Sequence, residues 1–479
     1  MRNLLLTILL SSRLALAAIS STTAWDVRTT GSDSNGGGFQ TGASGIDYSQ
    51  QNSAQCTYTD LVIGATNTQL TSVGCPFDST SPGNIVNVTG GSGFTAGRYQ
   101  VVSVAIAVAT MDRAVGTASS TSGTGTLGGS LLTIATALTP AVDGNLVYIQ
   151  SGTYTQTSTL VSKTAIGIIG FASTHSDNGT PPLITTATNS TDLWHVSTVS
   201  EAGYTISFQN LKMSNTAGTR ALGITYANSP ARTVTGTNLV LSGFTHAIYI
   251  PATAVLLSNV EIAASTSSGY FSDNGSFGAL VCQGCYIHGN GAEGVSFTAN
   301  LAAPWIFVNS IIASNTTSGI GTTDNAAGTF NLFSTDVANN TGDGVKIGSG
   351  TVYLQLSNCI VYGNGGYGIN YGTGSPLGMS NAGQNNAFGA NSSGNISGGF
   401  AAPAIGQIAL SANPFTSSTN FALNSTAGGG ASLKAAGYPG TFPGGTTIGY
   451  LDVGAVQSQG GSSGGTNSAA YVGDLAWNR

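Results

Sequence analysis

The acid–base chemistry open to this chain rests on few groups: 18 acidic residues and 4 histidines in 479 residues. Two of the acids stand out by position. Glu293 in "GNGAEGV" and Asp343 in "NNTGDGV" each lie nine residues after the start of similar segments, with one further segment between them. If each segment is one rung of a stack, two rungs separate the carboxyls by ~9.6 Å along the axis. That is near the upper separation for an inverting glycosidase pair, in which one carboxyl protonates the leaving oxygen and the other activates water. Ser318 lies between them and Tyr367 one rung beyond Asp343. The other reading of this position is a solvent-facing turn, where an acid needs no role.

The remaining candidates are sparser. Glu261 and Asp336 share a position but fall three rungs apart, too far to cooperate. Asp33 and Asn35 carry calcium-type oxygens, yet the loop lacks the rest of a twelve-residue EF-hand. His246 and His288 stand alone, so no metal site and no cofactor is expected. Cys56 and Cys75 lie in one early segment and form a disulfide candidate in an oxidising compartment. Cys282, Cys285 and Cys359 fall at inward-facing positions and read as small buried residues; a local Cys282–Cys285 disulfide is the alternative.

Positioning these groups falls to a repeat. Similar segments start at Asn238, Asn259, Gly284, Asn309, Ser334 and Asn358, spaced 21, 25, 25, 25 and 24 residues, and an earlier one at Asn210 fits with an insertion. Three residues after each start the side chain is apolar: Met213, Leu241, Ile262, Ile287, Ile312, Val337 and Val361. Asn recurs five after the first start, at Asn215, and six after later ones, at Asn290, Asn315, Asn340 and Asn364; ten after the start Gly recurs. Short strands broken by Asn and Gly turns account for the pattern. A repeat of this length built of strands and turns is a parallel β-solenoid with three strands per rung. Asn at the first position suits the left-handed backbone of a bend. Asn290, Asn315, Asn340 and Asn364 are expected to stack as an asparagine ladder. Asn315 is also one of several Asn-x-Ser/Thr sequons, and its place in the ladder would make it unavailable for glycosylation.

Composition agrees. Charged residues make up 6%, against ~25% in typical soluble proteins, while the hydrophobic share is 41%, with 69 glycines. The net charge of −6 with only 12 Lys+Arg leaves no basic patch, which argues against a nucleic-acid partner. No later segment is apolar for ~20 residues, which argues against a membrane span in the mature protein. "MRNLLLTILLSSRLALA" has a basic start, an apolar run and a small-residue cleavage site, so residues 1–17 read as a secretory signal peptide.

The repeat resembles that of the right-handed parallel β-helix (pectate-lyase-like) superfamily, and the chain is similar to uncharacterised secreted and phage-type β-helix repeat proteins. "LLTIATALTPAVDGNLVYIQSGTYTQ", residues 131–156, resembles the first-rung signature of secreted members, in which a short amphipathic helix caps the open core. "WDVRTTGSDSNGG" resembles the opening strand and turn that usually precede it, and residues 413–457 resemble the closing segment of many relatives. Against that frame, pectate lyases need a carboxylate cluster for calcium with a basic residue beside it. Polygalacturonases need Asn-x-Asp, Asp-Asp, Gly-His-Gly and Arg-x-Lys. Neither set appears.

The expected organisation is all-β. After the signal come an opening strand and turn (18–36) and an inserted small β-barrel or sandwich (37–128). A right-handed parallel β-helix with an N-terminal helical cap follows (129–402). A closing segment (403–458) should end the stack, and a Gly/Ser linker with an apolar tail (459–479) completes the chain. The function this implies is a secreted or virion-surface structural and adhesive protein, self-associating as a fibre, filament or appendage subunit. A polysaccharide depolymerase acting through Glu293 and Asp343 is the alternative. A non-catalytic glycan-binding module using exposed aromatics such as Tyr286 or Tyr362 is the third.

Overall fold

A computed structural model describes residues 19–162, 165–186, 192–196, 205–215, 222–224, 233–250, 254–272, 279–297, 304–322, 326–348, 350–372, 385–397, 407–437 and 451–457. The expected signal peptide and apolar tail lie outside these residues. The chain forms two compact units, Met1–Val147 and Tyr148–Arg479.

In the first unit, strand Thr23–Val27 pairs antiparallel with Gly38–Gln40. The chain then forms a closed barrel of six strands, in the order Cys56–Ile63, Gln69–Thr71, Val108–Met111, Gly97–Ala105, Ile85–Gly90, Gly123–Leu127. Alternation closes it: along Cys56–Ile63 the residues Cys56, Tyr58, Leu61 and Ile63 are buried. They join Leu70, Val86, Val101 and Met111 in one core, alternating by twos on either side of a β-bulge between Tyr58 and Leu61. Cys56 and Cys75 are disulfide-bonded at its margin. A short helix, Ile134–Leu138, follows, with Thr133 Oγ1 accepting from Thr136 N at 3.3 Å.

The second unit is a solenoid of about seven turns with rungs of about 25 residues. Each rung carries three short strands, called a, b and c. In one rung these are Pro304–Val308, Ile311–Ala313 and Ile320–Thr322. Each pairs in parallel with its counterpart in the next rung: Ala326–Phe333, Asp336–Ala338 and Val345–Ile347. The bend between a and b takes one residue in the left-handed region: Asn210, Asn238, Asn259, Gly284, Asn309, Ser334 and Asn358 have φ from 45° to 64°. These are the starts of the sequence repeat. Asn tolerates that backbone better than most residues with a side chain.

The interior is stacked rung on rung. The apolar residue three after each start is fully buried from Met213 to Val361. Trp305 lies over Phe297 at 4.2 Å between centroids and against Phe330 at 4.5 Å. Beyond the last rungs, Ile408–Ala409 pairs with Ala387–Gly389. The segment after it, expected to close the stack, instead runs along a lateral face. Leu410, Phe415, Phe421, Leu423, Leu433, Val453 and Ala455 pack on Ile311, Ala313, Ala338 and Ile360. The reason lies in those b strands: Ile311–Ala313 and Asp336–Ala338 are buried on both faces. Their outward apolar residues need cover.

Candidate functional site

Columns of side chains run through the rungs, and the candidate residues of the second unit lie along them. The first is internal. Asn290 Nδ2 donates to Asn315 Oδ1 at 2.9 Å, Asn315 to Asn340 at 2.9 Å, and Asn340 to Asn364 at 3.0 Å. The ladder continues to Asn391, which accepts from Asn364 Nδ2 at 2.9 Å. Each Oδ1 also takes a backbone N–H of the rung before it, as Asn340 Oδ1 does from Asn315 N at 3.1 Å. Each amide from Asn290 to Asn364 thus has partners on both sides, which a buried polar group needs. Asn391 is a sequon residue as well as Asn315, and both amides are consumed in the ladder.

The recurring glycine follows from the ladder. A Cβ on Gly294, Gly319 or Gly344 would meet the Nδ2 of Asn315, Asn340 or Asn364 at 2.7–2.9 Å. The requirement is space rather than an unusual backbone. A second internal column sits one residue past each bend. Ser310 Oγ donates to Val308 O, Thr335 Oγ1 to Phe333 O, and Cys359 Sγ to Leu332 O. Cys282, Cys285 and Cys359 are free and buried. Burial raises the Cys282 thiol well above its ordinary value, and contact with Cys285 adds to it. Burial pushes Cys359 up to about 12. Both therefore stay thiols and are poor nucleophiles.

The turns that lead into the c strands carry the candidate acids. Glu293 Oε2 accepts from Ser268 Oγ at 3.1 Å, one rung back, and its side chain lies against the bare face of Gly321, one rung on. Asp343 is committed more fully: Oδ1 accepts from Tyr367 N at 2.7 Å and Oδ2 from Asn370 Nδ2 at 2.8 Å. The two acids share a face two rungs apart, with Gly321 and Ser318 between.

The same face carries an aromatic group that the repeat marks only weakly. The outward column of the c strands reads Tyr249, Phe271, Ser296, Gly321, Lys346, Asn370. Phe271 stacks on His246 at 4.5 Å and on Tyr249 at 5.6 Å, with ring planes within 21°. All three rings are half-buried. The signal in the sequence is the second residue after each recurring Gly, or after Ala247 in the Tyr249 rung, which varies freely while its neighbours repeat.

The b face holds the other candidates. His288 Nε2 is 3.1 Å from Glu261 Oε1, and its ring stacks on Tyr286 at 3.8 Å. Tyr286 and Tyr362, expected as exposed binding rings, are instead packed by the C-terminal segment. Phe421 meets Tyr286 at 6.0 Å and Phe415 meets Tyr362 at 6.3 Å. Burial, with Glu261 nearby, pushes the Tyr286 phenol up to about 12. Asp336 lies fully buried under that segment, far from Glu261. In the first unit, Asp33 caps the short helix, accepting from Leu132 N, Thr133 N and Thr133 Oγ1. Asn35 donates to Asn52 O and Ser130 O. Their polar atoms already have internal uses.

Residues 199–399 match the family model described as the right handed beta helix region. The solenoid is a right-handed parallel β-helix. Solved structures similar to the chain include pectate lyase Pel9A, at 15% identity over 68% of this chain and 91% of that one, with a TM-score of 0.37. The A-module of Azotobacter vinelandii mannuronan C-5 epimerase AlgE4 aligns at 11% identity over 53% and 79%, with a TM-score of 0.33. The catalytic domain of GH87 alpha-1,3-glucanase aligns at 12% over 74% and 89%, with a TM-score of 0.32. These likenesses are too distant to carry an argument about activity. No curated protein matches the chain in sequence.

What the β-helix offers chemically is thus concentrated on one outer face: a ring stack, two carboxylates, Lys346 and Asn370. Among the described residues no three His, Cys, Asp or Glu side chains gather as metal ligands. No described helix is long and apolar enough to cross a membrane.

Proposed function

We propose that this protein is an extracellular structural and adhesive β-helix that binds a polysaccharide along the c face. The observation that carries this reading is the half-exposed stack of His246, Tyr249 and Phe271, aligned with Glu293, Lys346 and Asn370. Rings supply flat apolar area for a sugar face, while carboxylate, amine and amide groups suit sugar hydroxyls. The rungs rise ~4.8 Å each, comparable with the advance of one sugar in an extended polysaccharide, so successive rungs can meet successive residues. Asp343, with both oxygens held by internal donors, fits a positioning role on this face better than that of a mobile base. Self-association belongs to the same reading. Deleting residues 459–479 is expected to weaken it, as read by sedimentation, with the rungs still folded.

The test is affinity electrophoresis against a panel of neutral and acidic polysaccharides, with reducing-end release followed in parallel. Binding without cleavage is expected, and Phe271→Ala should weaken it about tenfold, a loss of ~1.4 kcal/mol. Binding unchanged in Phe271→Ala would remove the c face from the reading. The placement of Glu293 and Asp343 on one face favours a second reading, hydrolysis by an inverting pair. Cleavage abolished by both Glu293→Gln and Asp343→Asn would establish that reading over the first.

A further inference from the structure

The C-terminal segment that lies on the b face, residues 411–437 and 451–457, is held there by an apolar core and a few polar ties. Phe415, Phe421, Leu433 and Val453 supply most of the core. The polar ties are Gly454 N to Asn358 O at 2.7 Å, Asn385 Nδ2 to Ala436 O at 2.6 Å, and Ala455 N to Asp336 Oδ1 at 3.0 Å. The last of these is unusual. Asp336 is fully buried, and its second oxygen, Oδ2, is buried with no hydrogen-bond partner among the described residues. Gly454 closes over it so tightly that a Cβ there would stand 2.7 Å from Oδ1.

Among the described residues, a carboxylate in that place would have one N–H donor and no cation. The ionisable groups around it are the Cys359 thiol on the interior side, Tyr362 one strand on, and Asp452 and Lys434 on the segment itself. Cys359 is held as a neutral thiol. Burial likewise raises Tyr362, which stays a phenol. Asp452 is turned to Ala435 N at 2.6 Å, and Lys434 is exposed. None supplies a positive charge to Asp336, so it is the protonated acid that fits under the segment. Burial raises its ionisation well above the ordinary carboxylate range, and the Ala455 hydrogen bond offsets this only in part.

We infer that the C-terminal segment is an acid-locked cover, closed while Asp336 is protonated and released from the b face when Asp336 ionises. The sign follows from linkage. The closed state binds the proton more tightly than the open one, so closure is fully favoured below the ordinary carboxylate range. It is lost as pH rises toward the raised value. Release bares the apolar strip of Ile311, Ala313, Ala338 and Ile360 while the stacked rungs stay intact, because the ladder and the interior columns do not involve Asp336. This device is independent of the glycan reading of the c face.

Hydrogen exchange on the full chain, corrected for intrinsic exchange at each pH, tests the inference. Protection of residues 411–437 and 451–457 should fall with rising pH, by up to about tenfold per pH unit within the window. Peptides from 304–322 should stay protected throughout. Asp336→Asn keeps the shape and cannot ionise, so its cover should stay protected across the whole range. In the wild-type chain, the Asp336 carboxyl followed by ¹³C NMR should titrate over the same range in which the cover opens. A cover whose protection does not vary with pH would overturn the inference. So would an Asp336→Asn cover that still opens with pH, or an ionised Asp336 beneath a closed cover.

Discussion

The barrel of the first unit and the β-helix of the second bury similar residues by different means. The barrel is one closed sheet around one core, and each of its positions occurs once. Tyr58 stacks on Phe77 at 5.3 Å, Arg113 pairs with Asp112, and one disulfide ties Cys56 to Cys75 across 19 residues. The β-helix repeats a single environment, and one polar column of its interior is a chain of identical amides. The difference teaches where each part should fail. Damage to the barrel should stay within the barrel. Damage to a rung should pass to the rungs on both sides, since stacked repeats are coupled to their nearest neighbours.

The largest effect is expected in the ladder. Asn340→Leu removes the acceptor of Asn315 Nδ2 and Asn315 N, and the donor to Asn364 Oδ1 and Ile312 O. Two buried donors lose that acceptor, at ~1–3 kcal/mol each, so destabilisation of roughly 3 kcal/mol or more is expected in the unfolding of the second unit. Denaturant titration checks it. A loss confined to one rung by hydrogen exchange would break the contrast with the barrel.

Next comes the barrel's own tie. Replacing Cys56 and Cys75 by Ser should cost about 2–4 kcal/mol, the usual value for a native disulfide. Exchange protection should drop across strands Cys56–Ile63 and Gln69–Thr71 while the ladder peptides are unchanged. Loss of protection in the ladder as well would show the two regions to be one cooperative unit.

A smaller effect is expected from Gly319→Ala. The added methyl meets Asn340 Nδ2 and Gly344 O at 2.8 Å and Val337 Cγ1 at 2.9 Å, an overpacking that costs about 1–3 kcal/mol. The same change at Gly42, where nothing lies within 4 Å, meets no such wall. Gly42 has φ +84, however, so its cost would come from backbone strain alone. Thermal unfolding of both variants separates the steric requirement of the ladder from a conformational one.

The repeat explains why much of the β-helix was legible and much of the rest was not. Bend, ladder and glycine positions recur, so one physical argument covers all rungs. Asn391 escaped because the ladder step from Asn364 is 27 residues, where the earlier steps are 24 or 25, and a fixed spacing passes it by. The cover escaped because Phe415, Phe421 and Leu423 have no period. Its trace was on the receiving side: "IIA" and "DVA" are buried throughout, where "YIH" alternates. The ring stack depends on which outward residues happen to be aromatic in adjacent rungs, and a pattern search averages that away. In the barrel, composition and Gly turns announced strands, but strand order is set by closure and has no local signature.

The smallest effect concerns acid, and it gives the comparison opposite signs in its two halves. In the barrel, Asp60 accepts from Ser72 Oγ at 2.6 Å, Val73 N at 2.9 Å and Gly74 N at 2.7 Å. The Ser72 hydroxyl, then Gly74 N–H, hold its carboxyl below the ordinary range. A group with a lowered folded value lends stability that is present above the ordinary carboxylate range and lost as pH falls through the lowered one. The turn at residues 72–75 should therefore loosen on acidification, whereas the cover on the β-helix should tighten. The carboxylate is half-exposed to solvent, which screens its interactions, so the loss should be local and should leave barrel unfolding nearly unchanged. Exchange of the Val73 and Gly74 amides, corrected for intrinsic rates, should rise at acid pH in the wild type. In Asp60→Asn it should be raised at every pH. Amides at this turn that exchange equally at acid and neutral pH would show that the contacts of Asp60 contribute nothing there, and the opposition between the two regions would then rest on Asp336 alone.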